Sequence, residues 1–165
     1  HSTTADEIKE RIENGLLDMG LVTEPVDISK YNFFRLPQKE QWGILVHEKH
    51  RLAQKTFITP DDLINEPLII AKRTAVQNEL INWFNNSPEK LNIVATYNLI
   101  LNAANMVKHQ IGVALCFNLN FDNLYQDLRF IPLFPEIKTG AVLIWKKNHI
   151  YSQTMSHFIK NIKNA

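Results

Sequence analysis

Ile93 to Phe117, IVATYNLILNAANMVKHQIGVALCF, carries the reading that decides the fold, because its apolar period changes twice within one short stretch. Ile93 to Thr96 is a β-branched run. Ile100, Ala103, Ala104 and Val107 then recur at helical spacing, and Gly112 to Phe117 is an apolar run with the length of a buried strand. A strand, a helix of about ten residues and another strand make a parallel crossover. The same alternation continues outward in both directions. Upstream, Leu68 to Ala71 reads as a strand, and Val76, Leu80, Trp83 and Phe84 form the buried stripe of a helix, with Thr74 and Gln77 at capping-box spacing. Before it, Gly43 to Val46, entered from Trp42, is a strand, and Thr59, Pro60 and Asp62 start a helical turn with proline at its first position. At the start of the chain, Ile8, Ile12 and Leu16 predict a helix over about 5 to 14, opened by Thr4 and Glu7 and stopped at Gly15. Leu17 to Thr23 follows as a short buried strand, and Glu24 to Asp27 as an extended segment, a candidate crossing between lobes. Downstream, Phe130 to Phe134 and Ala141 to Trp145 are strands, and Tyr151, Met155, Phe158, Ile159 and Ile162 mark a closing helix. The class that this order predicts is α/β, with helices on both faces of a sheet.

Composition narrows the function. A chain of 165 residues with 45% hydrophobic and 21% charged content can bury a sizeable core, as one domain or as two small lobes. Eighteen basic residues against seventeen acidic give a net charge of +1, so the total shows no footprint of direct nucleic-acid binding. The single cysteine, Cys116, forbids an internal disulfide and fits a reducing compartment. No apolar run approaches the roughly 18 residues of a membrane span, and no signal peptide opens the chain, so a cytoplasmic location is expected.

In an open α/β sheet, ligands collect at the carboxyl ends of strands, where helix N-termini present free N–H groups. The loops there carry Ser2, Thr3 and Thr4 in one place, Arg73 and Thr74 in another, and Tyr97 and Asn98 in a third. Hydroxyls, an amide and a guanidinium beside positive dipole ends suit a small anion such as a carboxylate. Ser, Thr and Asn are also the preferred helix caps of any protein, and capping is the competing account of each. Catalytic and metal constellations fail. His47 and His50 are three apart, not on the i, i+4 face of a metal-binding helix, and no third ligand lies near them. Cys116 sits inside the apolar run VALCF as a small buried hydrophobe. Asp61 and Asp62 follow a Thr–Pro helix start, where acids complement the macrodipole. The glycines form no phosphate cradle, no nucleophile elbow is present, and Trp42, Trp83 and Trp145 read as core. The expectation is no catalysis, no metal and no cofactor.

The order of these elements resembles the effector-binding domain of LysR-type transcriptional regulators, over nearly the whole chain. Asn14 to Leu21, NGLLDMGL, is similar to the family's helix end, "G-x-L-D" turn and apolar strand, with an extra Gly20. Trp42 to Val46 followed by His50-Arg51-Leu52-Ala53 resembles its strand and "His-Pro-Leu-Ala" turn, with Arg51 in place of proline. Ile58 to Pro67, with Asp62-Leu63 and Glu66-Pro67-Leu68-Ile69, resembles its next helix and strand. Val107 to Phe117 looks like its "V-x-x-G-x-G-I-A-x-L-P" element, with Gln110 for the first glycine and Phe117 for the proline. Leu143 to Lys147, then Ser152 and Phe158-Ile159, resemble its closing strand and helix.

The resemblance implies a two-lobed sensor with a periplasmic-binding-protein-like, type II fold, holding a small anionic effector in an interlobe cleft. Residues 1–28 with 147–165 would form the first lobe, N-terminally incomplete, and 29–146 the second. By position, Thr3 and Thr4 match a first-lobe effector loop, and Arg73, Thr74, Tyr97, Asn98 and Phe117 match second-lobe cleft positions. It also implies a homodimer, with the helices at 5–14 and 76–84 as interface candidates, and a tetramer at full length. DNA would be bound only through a winged helix-turn-helix that this sequence does not contain. A type II solute-binding protein serving a transporter is the alternative, and an enzyme on the same lobes would need a reactive side chain that the sequence does not offer.

Overall fold

A computed structural model describes residues 3–84, 91–118 and 125–163, which fall into two compact units, residues 1–39 with 139–165 and residues 40–138. The chain passes from one to the other within β2 (Tyr31–His47) and back at the start of β7 (Lys138–Lys146). The expected crossing at Glu24 to Asp27 lies inside the first unit, where the Glu24–Pro25 peptide is cis.

The first unit begins with α1 (Ala5–Glu13) and β1 (Met19–Thr23). Thr4 caps α1 by accepting the Glu7 N–H at 3.3 Å, as the spacing predicts. At the other end Gly15 takes φ 69°, and the N–H groups of Gly15 and Leu16 return to the carbonyls of Ile12 and Arg11 at 3.1 and 2.8 Å. That paired return is a Schellman cap, which places its left-handed residue where glycine costs least. Ile8 and Ile12 face inward and pack with Val22, Tyr31, Val142 and Ile144. β1 pairs antiparallel with β7, from Met19 opposite Trp145 to Thr23 opposite Ala141. α5 (Gln153–Lys163) closes the chain; Met155 is buried, whereas Phe158, expected in the apolar stripe, is 45% exposed.

The second unit holds α2 (Pro60–Leu63), β3 (Pro67–Ala71), α3 (Thr74–Trp83), β4 (Asn92–Tyr97), α4 (Ile100–Lys108), β5 (Val113–Phe117) and β6 (Leu128–Pro132), with a 3₁₀ turn at Arg51–Gln54. Its strands run in the order β6-β2-β5-β3-β4. β3 is parallel to both β4 and β5, so the crossovers read from the sequence form as expected. β2 is antiparallel to β5 and β6, its partners within this unit, which makes the unit's sheet mixed. The reason lies in the connection from β2 to β3, whose two short helical pieces do not make a parallel crossover.

Alternate side chains along these strands separate into two cores, as a pleated sheet requires. Trp42, Ile44, Leu68, Leu115 and Ile131 pack with Val76 and Leu80 of α3, while Leu45, Ile69, Ala114 and Cys116 pack with Ala103, Ala104 and Val107 of α4. Helices therefore cover both faces, and each fully buried Leu or Ile contributes roughly 1.5–3 kcal/mol. Gly112 is required by close approach: a Cβ there would lie 2.4 Å from the Pro67 carbonyl oxygen of the neighbouring strand's start.

Two local expectations change. The capping box at Thr74 and Gln77 does not form: Arg73 is the N-cap, Thr74 is already helical, and the Gln77 amide turns back to the Ala71 carbonyl at 2.9 Å. β2 is also far longer than the strand expected at Gly43 to Val46. Residues 32 to 40 are mostly exposed on both sides, so no apolar alternation marks them.

Candidate functional site

Because β3, β4 and β5 are parallel neighbours, their carboxyl ends fall at one edge of the second unit's sheet. Arg73 and Thr74 follow β3, Tyr97 ends β4 with Asn98 after it, and Phe117 ends β5. Five of the expected site residues are thus gathered at one sheet edge. The loop after β3 is braced, since the Lys72 N–H donates to the Tyr97 carbonyl at 2.8 Å and the Gln77 amide donates to the carbonyls of Ala71 and Lys72 at 2.9 and 3.4 Å. Thr74 and Asn98 are exposed and Arg73 is half-buried. Neither α3 nor α4 has a side-chain cap bond at its N-terminus, in contrast to α1. First-turn N–H groups have no acceptor within their own helix, and the dipole there is positive. A guanidinium, a hydroxyl, an amide and two helix starts without side-chain caps are an arrangement able to receive a small anion.

Tyr97 and Phe117 contribute differently. The Tyr97 side chain is buried, and its hydroxyl donates to the Leu115 carbonyl at 2.8 Å. Burial, with Cys116 beside it, pushes the phenol well above its ordinary range. Phe117 lies against Trp42, with ring centroids 4.4 Å apart at 59°. Both shape the floor of the edge.

Thr3 and Thr4 belong to the first unit, and Ser2 lies outside the described residues. Thr3 donates its hydroxyl to the Glu7 carboxylate, Arg11 donates to the same carboxylate at 2.9 Å, and Thr4 caps the helix. The Thr3 bond and then Arg11 hold the Glu7 carboxyl below its usual value.

The groups read as structural take structural places. His47 Nδ1 accepts from the Lys49 N–H at 3.2 Å; His50 Nδ1 accepts from the Leu52 N–H at 3.3 Å, with its Nε2 3.3 Å from Glu66. Among the described residues no group of three or more His, Cys, Asp and Glu could hold a metal ion. Cys116 is fully buried, and burial raises its thiol pKa. Asp62 accepts from the Thr59 N–H and hydroxyl, both at 3.0 Å, and from Lys55 at 2.5 Å. Trp42 and Trp145 are core, while Trp83 is half-buried and donates to the Pro135 carbonyl at 2.8 Å. Sequence reading missed Gln77 as the brace of the 71–74 loop; its only signal was a glutamine three positions after a helix start, which a capping box explains equally well.

A sequence profile of the LysR substrate binding domain matches residues 1–165. An HTH-type transcriptional regulator of Bacillus subtilis (strain 168), the uncharacterized YvbU, is 23% identical over 124 residues, covering 75% of this chain and 41% of that protein. HinK, a LysR family transcriptional regulator from Pseudomonas aeruginosa, superposes with a TM-score of 0.80 at 19% identity, over 99% of this chain and 58% of its own. The effector binding domain of QuiR, solved with shikimate, gives 0.82 at 17% identity, over 96% of this chain and 76% of its own. The chain thus spans about two fifths of YvbU and under two thirds of HinK. The structural likenesses show the fold, that of the periplasmic-binding-protein-like, type II effector-binding domains.

Proposed function

This chain belongs to the LysR substrate-binding domain family, and we propose on that footing that it is the effector-sensing part of a DNA-binding transcription regulator, responsive to a small carboxylate. The observation that carries the reading is the family match along all 165 residues. The regulators it resembles act in transcription, which favours sensing over delivery of solute to a transporter. In keeping with that, the proposed role involves no catalysis and no cofactor, and a cytoplasmic location; no helix among the described residues is long and apolar enough to cross a membrane.

For the effector we assign Arg73 the carboxylate, Thr74 and Asn98 the ligand's remaining polar groups, and Tyr97 and Phe117 the apolar floor. Thr3 and Thr4 would supply the first lobe's share. What supports an acid is the positive sign of the edge after β3 and β4; by analogy, the QuiR domain was solved with shikimate, a small hydroxylated acid. A ligand regulates only through unequal affinity for two arrangements of the protein, and a coupling of about 1 to 3 kcal/mol suffices. DNA contact is assigned to a winged helix-turn-helix outside this sequence. Titration calorimetry with a panel of small hydroxylated and aromatic carboxylates tests the assignment. At least one acid is expected to bind, with affinity at least tenfold weaker in Arg73→Ala and the circular dichroism unchanged. Absence of binding by every acid to the folded protein, or binding untouched by Arg73→Ala, would overturn it.

A further inference from the structure

The C-terminal end of α1 borders a cavity of about 240 Å³ that is built wholly from the first unit. It is smaller than the roughly 300–1,000 Å³ of pockets for drug-sized ligands, which limits an occupant to a small metabolite. Thr3 and Thr4 stand at the opposite end of the same nine-residue helix, about 13 Å away at 1.5 Å per residue. Ile12 and Leu17 supply an apolar side. On the other, Tyr151 is fixed by donating its hydroxyl to the Lys146 carbonyl at 2.7 Å, and His149 meets its ring edge-to-face, centroids 4.9 Å apart. Leu16 and Ile150, next in sequence to lining residues, are 70% and 95% exposed, so apolar surface continues beyond the cavity.

Charge then selects the occupant. Lys146 Nζ lies 3.6 Å from the Glu13 carboxylate and donates to the Glu13 carbonyl at 3.1 Å, so these two lining charges compensate each other. Asp18 also lines the cavity, and among the described residues no hydrogen bond or ion pair falls on its carboxylate. An acid entering here meets the like charge of Asp18, whereas an ammonium meets a carboxylate that no ion pair compensates, beside the Tyr151 and His149 rings.

We propose that this cavity is a binding site for a small primary amine, its ammonium on Asp18 and its carbon chain against Ile12, Leu17 and the Tyr151 ring. The site is independent of the carboxylate edge in the second unit and shares no residue with it. A protein-observed NMR titration with n-butylammonium, and with butyrate as its charge-reversed twin, tests the proposal. Saturable shifts of the His149 and Tyr151 ring signals are expected with the amine alone. Affinity should fall at least tenfold in Asp18→Asn and several-fold in His149→Ala, both exposed positions at which the fold survives substitution. No saturable shift from the amine, an equal response to butyrate, or unchanged affinity in both variants would overturn it.

Discussion

Gln110 ends α4 at φ 56°, and the N–H groups of Gln110 and Ile111 return to the carbonyls of Val107 and Met106 at 2.8 and 3.1 Å. This is the cap that Gly15 provides for α1, made here by a residue with a Cβ. The left-handed region costs an L-residue about 1–2 kcal/mol, of which glycine's greater unfolded freedom would return roughly half. Gln110→Gly should therefore stabilise the protein by about 0.5–1 kcal/mol, read as a rise in the urea midpoint with unchanged slope. Asp62 gives a pH dependence. Burial pushes its carboxyl up, but hydrogen bonds from Lys55 and Thr59 outweigh that and leave it lowered. A depressed folded pKa means stability present above the unfolded value near 3.9 and lost as pH falls through the folded one. Asp62→Asn should cost about 0.5–2 kcal/mol at neutral pH. The gap from wild type should close as the medium is acidified below pH 4, which denaturant melts across pH 3 to 7 would follow. At this scale much was legible: Thr4, Gly15, Pro60 and Cys116 each took the place their chemistry predicts. Thr74 did not, because a Gln77 that brackets carbonyls has the same spacing as one that caps.

Among the elements, those with a buried stripe were readable and those without one were not. α4 shows Ala103, Ala104 and Val107 inward at helical spacing, and β5 is apolar throughout because it is covered on both faces. The first half of β2 carries Asn32, Arg35, Gln38 and Lys39 in the open, so period two never appears in its sequence. The antiparallel setting of β2 escaped for a related reason, since pairing direction follows from the connection and leaves no mark on the strand. The loop between β3 and α3 offers the element-scale test. Gln77→Ala removes the amide that holds the carbonyls of Ala71 and Lys72. It should destabilise by about 0.5–1.5 kcal/mol and weaken carboxylate binding several-fold by loosening Arg73 and Thr74, measured by denaturant melts and calorimetry on the same variant. An intact affinity would detach the loop from the site.

For the molecule as a whole, β4 pairs only with β3 among the described residues, and its Ile93 and Val94 are 45% and 46% exposed. An apolar sheet edge invites another strand or chain, and natural edges are commonly guarded by lysine. If the homodimer that the family resemblance implies, with the helices at 5–14 and 76–84 as interface candidates, also uses this edge, Val94→Lys should shift sedimentation toward the monomer; an unmoved dimer would place the interface elsewhere. The site, unlike the fold, was legible only as a set of loops. The sequence put Arg73, Thr74, Tyr97, Asn98 and Phe117 at strand ends, but that Tyr97 spends its hydroxyl on Leu115 depends on tertiary packing that no local pattern encodes. The central claim, that the chain senses a small acid, is tested most directly by thermal unfolding of the protein in saturating carboxylate. A ligand at a hundred times its dissociation constant stabilises the native state by about 2.7 kcal/mol. The account predicts a shift of that size with at least one acid and its fall to about half or less in Arg73→Ala at the same ligand concentration; an unfolding temperature that no acid moves, in a protein whose native fold is verified, would contradict it.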